Sequence, residues 1–400
     1  MKKRMLIILA AVILVTTGIS IVAANSRKDY DGKQIFIRNE QAENSINSFD
    51  SRLFTTLCNQ SENVNYSALS IYSLLYALSK GSGNNTQREI NSVLGYTPSQ
   101  EVDESIKNKI LTTENKTNSL WYNQDLELQP EYKNFLIDFN FRQNKVDFTN
   151  TIQVKHKINS FVSKKTDGLI KNLLSEPLSP DTKLVLLNTL FFEQKWLEKF
   201  DKDETSTQDF YVQSDEKIYV RMMQSFRYAD YYENDVLQAA ALPYKNTRYS
   251  MIVFLPKDKD FDFSKLNLKE SVDKFNSGYE IQYLQILLPK FEAHSRYDLI
   301  PILQAMGIND AFQSGTADLS KLFTDSENLF LNDALHEVVV KVDEEKTKAA
   351  AVTMFGAKSA GEVRRAQDFI TFRVDHPFCY VIYDGQNNIN LFTGIIRRPR

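Results

Sequence analysis

Residues 343–353 read DEEKTKAAAVT and directly follow a strand-like apolar run, EVVVKV, at residues 337–342. After the charged start, small side chains recur at every second position: Thr347, Ala349, Ala351 and Thr353. A strand that packs one face on a core needs this alternation. Small side chains can also enter a packed sheet without overfilling it. The segment therefore has the pattern of a chain that can become a strand within a sheet.

A local helix is the competing interpretation of the same residues. Glu344 stands four residues before Lys348, which is the spacing of a helical ion pair, and alanine is the best helix former. In a strand, the face that stays outside would carry Lys346, Lys348, Ala350 and Val352. The apolar strand directly before the segment favours a hinge that can enter the sheet over a local helix, because a hinge is consistent with that neighbouring strand.

Periodicity elsewhere in the chain indicates the fold class. Apolar residues recur at three- and four-residue steps over residues 46–57 and 71–79, which indicates two helices. Almost unbroken apolar runs, typical of strands buried on both faces, lie at residues 184–192, 250–255, 378–383 and 389–396. Helices near the N-terminus and strands after them predict an α+β fold in one large domain, residues 46–400.

Six further motifs lie in a fixed order around the hinge segment. They are NYSALSI at 65–71, TKLVLLN at 182–188 with Trp196 and Phe200 after it, LPKF at 288–291, MGI at 306–308, VDHPF at 374–378 and FTG at 392–394. Each motif is weak alone, but their ordered sum is specific. Over residues 46–400 the chain resembles the serpins, a family of serine-protease inhibitors.

The resemblance implies a serpin fold of three β-sheets and about nine helices, with an exposed reactive-centre loop at about residues 344–368. It also implies an inhibitor and not an enzyme. A serine protease cleaves the loop as a substrate, and the loop then inserts into the central sheet and traps the acylated protease. No cofactor is implied, and we expect a monomer. The hinge would comprise Glu344, Glu345, Lys346, Thr347, Lys348, Ala349, Ala350, Ala351, Val352 and Thr353.

The resemblance also assigns roles to polar residues beneath the sheet. It places the shutter, where the sheet must part, at Ser67, Ser70, Asn188 and His336, and the breach above it at Trp196. Without the resemblance, the two serines are helix caps and His336 is a hydrogen-bonded core histidine. Three residues depart from the family pattern: Lys346 replaces glycine, Lys348 replaces glutamate and Ala68 replaces proline. We expect insertion to survive the two lysines, at a lower rate, because both fall on the face that stays outside. Ala68 leaves the turn less rigid but removes no hydrogen bond.

Two counts predict the reactive bond, and they disagree. Counting forward from Glu344 with the spacing of inhibitory serpins gives Ala360-Gly361, and this is our preferred bond. Counting back from Pro377 gives Arg364-Arg365. An elastase- or subtilisin-like protease suits the small Ala360, whereas a trypsin-like protease suits Arg364. A non-inhibitory serpin that binds, stores or chaperones is the alternative function.

The first 24 residues differ from the rest of the chain. Basic residues at positions 2–4 precede a charge-free run that ends in small residues at 22–24. This pattern predicts a cleaved signal peptide, although the run is also long enough for an uncleaved membrane anchor. Residues 25–45 are polar and predict a flexible leader. We therefore expect a secreted protein, or one that an N-terminal segment tethers to the membrane.

Composition excludes several other classes of protein. The net charge is −3, which argues against a nucleic-acid partner. Cys58 and Cys379 are the two cysteines; one bridge is possible, but their apolar surroundings favour two buried free thiols. The sequence lacks the G-x-S-x-G, H-E-x-x-H and P-loop motifs. Only spatial proximity of distant residues could still form a hydrolase triad, and no metal site is predicted.

Overall fold

The structure is a computed structural model that describes residues 36–325, 328–345 and 369–400. Within these ranges the chain forms eight α-helices: α1 Glu40–Leu57, α2 Ala68–Gly81, α3 Asn84–Leu94, α4 Gln100–Thr112, α5 Pro130–Asp138, α6 Thr151–Lys165, α7 Leu268–Gly278 and α8 Leu299–Met306. The same ranges contain fourteen strands: β1 Val64–Tyr66, β2 Lys116–Asn123, β3 Phe141–Val146, β4 Leu184–Phe191, β5 Ser206–Tyr211, β6 Lys217–Glu233, β7 Leu237–Pro243, β8 Tyr249–Pro256, β9 Glu280–Pro289, β10 Phe291–Asp298, β11 Asp333–Val342, β12 Ile370–Arg373, β13 Phe378–Asp384 and β14 Ile389–Ile396. Helices and sheets are thus mixed as the α+β prediction requires.

A five-stranded sheet has the order β10-β11-β4-β2-β3. At its centre β4 and β11 run parallel, with Val185 opposite Asp333 and Phe191 opposite Val339. All eight residues of β4 are buried, which confirms the burial on both faces that its apolar run predicts. Core packing covers one face of this sheet, and α6 covers the other.

The other strands form a second hydrogen-bonded sheet with the order β1-β14-β13-β8-β7-β6-β9-β12, in which β5 also pairs with β6. Strand β6 is 17 residues long. Its first part pairs with β5, its middle with β9 and its last residues with β7. Because β6 is shared in this way, two of the three sheets expected for a serpin are continuous here.

The first helix begins earlier than the predicted domain boundary. Asn39 caps α1, because its side chain accepts a hydrogen bond from the backbone N–H of Ala42 at 2.9 Å. Ala42 and Ser45 are buried. Residues 40–45 therefore belong to the folded domain and not to a flexible leader, while residues 1–35 lie outside the described ranges.

Two layers of packing hold the five-stranded sheet. Helix α2 is buried along nearly its whole length between β4 and β14, with only Lys80 partly accessible. On the outer face, Val154, Ile158 and Val162 of α6 pack with Val339 of β11. Even-numbered residues of β11 therefore face the main core, and odd-numbered residues face α6.

The two cysteines lie within the apolar core. Cys58 and Cys379 are both free and buried, so the prediction of two buried thiols is confirmed. Among the residues that the structure describes, no helix is both long enough and apolar enough to cross a bilayer.

Candidate functional site

The parallel pair of β4 and β11, called the seam below, lies in the middle of the five-stranded sheet. The two strands are adjacent in space, but their paired residues are about 150 positions apart in sequence. The chain leaves β11 at Val342 and runs into the hinge segment. If it turned back into the seam, it would run antiparallel to both neighbours. One parallel ladder would then be replaced by two antiparallel ladders, which are slightly more stable per residue.

Polar side chains cross the inner face of the seam in one row. His336 lies opposite Asn188 in the register of the seam, and Asn118 of β2 lies opposite Asn188 on the other side. The Asn188 side-chain amide donates a hydrogen bond to Asn118 Oδ1 at 2.6 Å. The Ser73 hydroxyl donates to the same oxygen at 3.2 Å. This row ties the centre of the sheet to α2.

Ser67 joins His336 to the start of α2. Its backbone N–H donates to His336 Nε2 at 3.1 Å, and its side chain caps α2 by accepting from the backbone N–H of Ser70 at 3.3 Å. The helix-cap interpretation of Ser67 is therefore confirmed, and its shutter role stays a prediction. We call Ser67, Ser70, Ser73, Asn118, Asn188 and His336 the shutter cluster.

Several buried polar atoms at the seam have no hydrogen-bond partner among the described residues. On the inner face these are Ser70 Oγ, Asn188 Oδ1 and His336 Nδ1. On the outer face they are Thr189 Oγ1 and Glu337 Oε2, and these two residues lie opposite each other in the register. Leaving a buried polar atom unpaired costs about 1–3 kcal/mol. The seam is therefore less well satisfied than the sheet around it.

Burial sets the protonation state of His336. Loss of solvent lowers the pKa of its imidazole from 6.5 to about 3. The ring is therefore neutral near pH 7. Because Nε2 accepts the hydrogen bond from Ser67, the proton resides on Nδ1.

The sequence did not identify two members of the shutter cluster, Ser73 and Asn118. Ser73 lies three residues after Ser70 on α2, so helical spacing places it on nearly the same face and could have indicated it. Asn118 has no such local signal. It joins the cluster only through the register that pairs β2 with β4, two strands about 70 residues apart in sequence.

Trp196 holds the chain where it leaves β11. Its indole N–H donates to the backbone oxygen of Asp343 at 2.8 Å, and its ring stacks on Tyr244 with centroids 4.5 Å apart. One step further along, the backbone N–H of Phe200 donates to the carbonyl oxygen of Glu344 at 3.0 Å. The structure thus places Trp196 beside the point where the chain leaves β11, and its role as the breach stays a prediction.

The first two hinge residues are also held by ion pairs. Lys290 Nζ lies 2.6 Å from the Glu344 carboxylate, which is almost fully buried. Burial opposes ionisation of Glu344, but the hydrogen bond from Lys290 and other donors outweigh it and lower its pKa below the usual value. Glu345 pairs with Lys202 at 2.8 Å on the surface. We call the contacts of Trp196, Phe200, Lys290 and Lys202 with residues 343–345 the latch.

The remaining predicted site residues lie outside the described ranges. These are the hinge residues Lys346, Thr347, Lys348, Ala349, Ala350, Ala351, Val352 and Thr353, together with both candidate reactive bonds, Ala360-Gly361 and Arg364-Arg365. Their assignment therefore stays a prediction.

Three of the four described histidines, His294, His336 and His376, have partners other than a nucleophile. His294 pairs with Glu337 at 2.7 Å, and His376 bonds to Asp375 and to the carbonyl oxygen of Pro256. His336 accepts from a backbone N–H. Within residues 36–325, 328–345 and 369–400, no histidine hydrogen-bonds to a serine hydroxyl or a thiol, and no three metal-ligating side chains come together.

Comparison with known proteins identifies the fold and its family. The family model described as Serpin (serine protease inhibitor) matches residues 44–399. Serpin B9 from Homo sapiens is 31% identical over 387 residues, which cover 90% of this chain and 100% of that protein. Iripin-3 from Ixodes ricinus is 34% identical over 352 residues, covering 83% and 88%. The solved structure of the thermophilic serpin Tengpin in its native state has a TM-score of 0.80 at 24% identity, covering 90% of this chain and 95% of that one. The chain therefore belongs to the serpin family.

Proposed function

We propose that this protein is a secreted, monomeric inhibitor of serine endopeptidases that acts as a suicide substrate. The observation that carries the proposal is the seam: two adjacent parallel strands, one of which continues directly into an alternating, small-residue hinge. Secretion is supported by the basic residues and apolar run at positions 2–24, either as a cleaved signal or as an anchor.

The side chains at the seam support insertion of the hinge. A four-residue turn at 343–346 would pair Val342 with Thr347 in an antiparallel hairpin. Continuing that register places Ala349 and Ala351 opposite Val340 and Val338, and Thr353 opposite His336. The β11 residues in these pairs all face the main core, and cross-strand partners in a hairpin share a face. Small side chains would thus enter the packed face.

Insertion would also satisfy part of the shutter cluster. Once Thr353 lies beside His336, its hydroxyl oxygen can accept a hydrogen bond from the Nδ1–H of His336. The Asn188 side-chain oxygen can accept a hydrogen bond from the same hydroxyl or from another donor on the inserted strand. The native seam is short of partners at these atoms, so the inserted state gains hydrogen bonds that the native state lacks.

The latch sets a condition for the mechanism. Trp196 and Phe200 hold backbone oxygens of Asp343 and Glu344, and Lys290 holds the Glu344 carboxylate. These contacts fix the point from which the hinge turns back. They keep residues 343–345, where the loop starts, at the top of the seam.

The length of the inserting segment favours Ala360-Gly361 as the reactive bond. Sixteen residues after Glu344, at about 3.3 Å each, span roughly 50 Å. Four extra residues, as a cut at Arg364-Arg365 would require, add slack of about 13 Å by the same rise and weaken the force on the protease. The proposed partner is therefore an elastase- or subtilisin-like protease, with a trypsin-like protease as the alternative.

One observation favours a second candidate function. Lys346 and Lys348 stand where inhibitory serpins carry glycine and glutamate, so a non-inhibitory serpin that binds, stores or chaperones is the competing hypothesis. We prefer the inhibitor because both lysines lie at the alternate positions that stay outside, whereas the inward positions carry small side chains.

The test is to incubate the mature protein with an elastase-like, a subtilisin-like and a trypsin-like protease. We expect one of them to form an adduct of one protease with one inhibitor that survives SDS. Mass spectrometry of the released C-terminal peptide then locates the bond, because a fragment that begins at Gly361 supports Ala360-Gly361. Clean cleavage of the loop by every protease, without an adduct, would favour the non-inhibitory function.

Thr347→Arg is the matched variant for this experiment. The substitution would bury an unpaired guanidinium on the inner face, which costs several kcal/mol. The variant should be cleaved as a substrate and form at least several-fold less adduct. Unchanged adduct formation would show that Thr347 does not enter the sheet.

A further inference from the structure

A cleft of about 660 Å³ lies between α6 and the outer face of β2 and β3. Strand β3 is the last strand of the five-stranded sheet, so no further strand of the described chain closes this side. We call it the basic cleft, and its walls include Trp121, Asn144 and Val146 from the sheet and His156, Lys157 and Ser160 from α6. Its volume falls within the roughly 300–1,000 Å³ that small-molecule sites occupy.

Positive charge is concentrated around the basic cleft. Residues 141–171, which contain β3 and α6, include seven basic and two acidic residues, whereas the whole chain has a net charge of −3. This segment therefore has a net charge of +5, and the rest of the chain has one of −8. A cleft that carries one sign of charge between apolar walls concentrates ions of the opposite sign. The local charge thus favours an anionic ligand, although the protein as a whole is weakly acidic.

Two basic side chains of the basic cleft are available to an anion. His156 and Lys157 are exposed on α6, and neither forms an ion pair with another described residue. Lys145 also lines the cleft, but its ammonium pairs with Glu127. None of the eight lining residues carries a carboxylate, so the walls do not repel an anion. The lysine ammonium and a ring N–H of the histidine are donors that phosphate and sulfate oxygens accept.

The neutral polar side chains of the basic cleft suit a hydroxylated ligand. Gln153, His156 and Ser160 follow one another at three- and four-residue steps on α6, so they share one face of the helix. Asn144 lines the cleft from β3, where its register partner on β2 is Trp121. Amide and hydroxyl groups both donate and accept hydrogen bonds, as the hydroxyls of a sugar do. They would bind the body of a ligand, whereas the two basic side chains would bind its anionic group.

The floor of the basic cleft is apolar and fixed in place. Trp121 is 4% exposed, and its indole N–H already donates to Ser119 Oγ at 3.1 Å. Its ring packs edge to face on Phe161 of α6, with centroids 5.4 Å apart. Val146 belongs to the same buried cluster. An apolar floor with a few polar groups around it is the usual composition of a small-molecule site, and the C–H groups of a sugar ring can pack on it.

We propose that the basic cleft binds a hexose that carries one phosphate or sulfate ester. The ester lies against His156 and Lys157, and the sugar hydroxyls bond to Asn144, Gln153 and Ser160. One lysine and one histidine at a surface hold a free anion only weakly, so tight binding needs the ester and the sugar together. The inference goes beyond the proposed function and does not depend on it, because no residue of the cleft belongs to the shutter cluster, the latch or the predicted loop.

Isothermal titration calorimetry of the mature protein tests the site without any protease. The probes are glucose 6-phosphate, glucose 6-sulfate, glucose and inorganic phosphate, and the comparison of the two esters identifies the preferred anion. We expect at least one ester to bind at one site per chain, at least ten-fold more tightly than glucose or inorganic phosphate. Lys157→Gln should weaken this binding at least five-fold, because it removes a charged donor. Lys274→Gln is the control, since it removes the same charge from the surface of α7.

Fluorescence then locates the bound ester. Trp121 and Trp196 are the two tryptophans of the chain, and only Trp121 lines the basic cleft. The ester should change the tryptophan emission of the unmodified chain, and Trp121→Phe should abolish that change.

Three results would overturn the proposal: no saturable binding of either ester, binding of inorganic phosphate as tight as that of the esters, or equal weakening by Lys157→Gln and Lys274→Gln. Failure of every protease to form an adduct would leave the cleft proposal intact, because the titration involves no protease. Ester binding without any adduct would therefore contradict the inhibitor and support the cleft. Adducts without ester binding would do the reverse.

Discussion

At the scale of single residues, His336 links the sheet to the helix beneath it. It lies at the centre of the seam, accepts a hydrogen bond from the backbone of Ser67 and leaves Nδ1 without a described partner. A buried neutral imidazole of this kind couples the stability of the native state to pH. The sign of that coupling follows from the direction of the pKa shift.

We predict that His336 weakens the native state in mild acid. Its pKa is about 3 when folded and 6.5 as the ordinary value. The unfolded chain therefore binds the extra proton between these values. The contribution of His336 to the free energy of unfolding is complete above pH 6.5, and it is lost as the pH falls towards 3. His336→Gln should flatten the decline of the thermal midpoint between pH 7 and pH 5, measured at one scan rate.

Asp50 is the matched control, because its shift has the opposite sign. Burial raises its pKa from 3.8 to about 6, against the hydrogen bonds from Asn390, Tyr66 and Thr393. The folded state then binds the extra proton between these values, so the contribution of Asp50 grows as the pH falls. Asp50→Asn should steepen the acid decline. Parallel pH curves for His336→Gln and the unmodified chain would contradict the assignment.

At the scale of elements, the seam depends on how β11 continues into the hinge. The alternation of residues 347–353 fixes which side chains face inward, but the turn length fixes the register. A turn of residues 343–346 places Thr353 beside His336, whereas a turn shorter by two residues places Ala351 there. Only the first register brings a threonine hydroxyl to His336, so a substitution that removes this hydroxyl can distinguish the two registers.

We predict that Thr353→Val destabilises the loop-cleaved form and spares the native form. Removing the hydroxyl leaves His336 Nδ1 unpaired in the inserted state, which should cost about 1–3 kcal/mol. The thermal midpoint of the cleaved variant should fall by several degrees, while that of the intact variant is unchanged. Ala351→Ser is the matched comparison, since it would stabilise the cleaved form only if the shorter turn is used.

Elements also show how far the sequence could be interpreted. The motifs around Ser67, Ser70, Asn188 and His336 predict these residues as the shutter, because the motifs retain their order along the chain. The structure places Ser67, Asn188 and His336 at the seam. Asn118 could not be located, because strand register arises from tertiary pairing of distant segments. The sequence predicts that α1 begins at Ile46, because the preceding turn, with Glu40 and Glu43, has the composition of a leader. In the structure the Asn39 cap and the burial of Glu43 make it helical.

At the scale of the whole molecule, the native fold should be metastable and held by a kinetic barrier. When the loop inserts as a new central strand after cleavage, the sheet loses one parallel ladder of hydrogen bonds and gains two antiparallel ladders. We predict that cleavage of the loop, confirmed by mass spectrometry, raises the thermal midpoint of the whole protein by tens of degrees. Cleavage with no change of midpoint would rule out insertion, whether or not a protease is inhibited.

The two buried thiols allow unfolding of this molecule to be measured separately from loop insertion. Cys58 ends α1 and Cys379 lies in β13, both away from the seam, with exposed fractions of 1% and 0%. Burial raises the pKa of both thiols, so little thiolate is available to an alkylating reagent. Labelling should therefore stay silent while the central sheet rearranges and begin only when the body of the protein unfolds. The rate of alkylation should therefore report the rate of unfolding and should not change when the loop inserts.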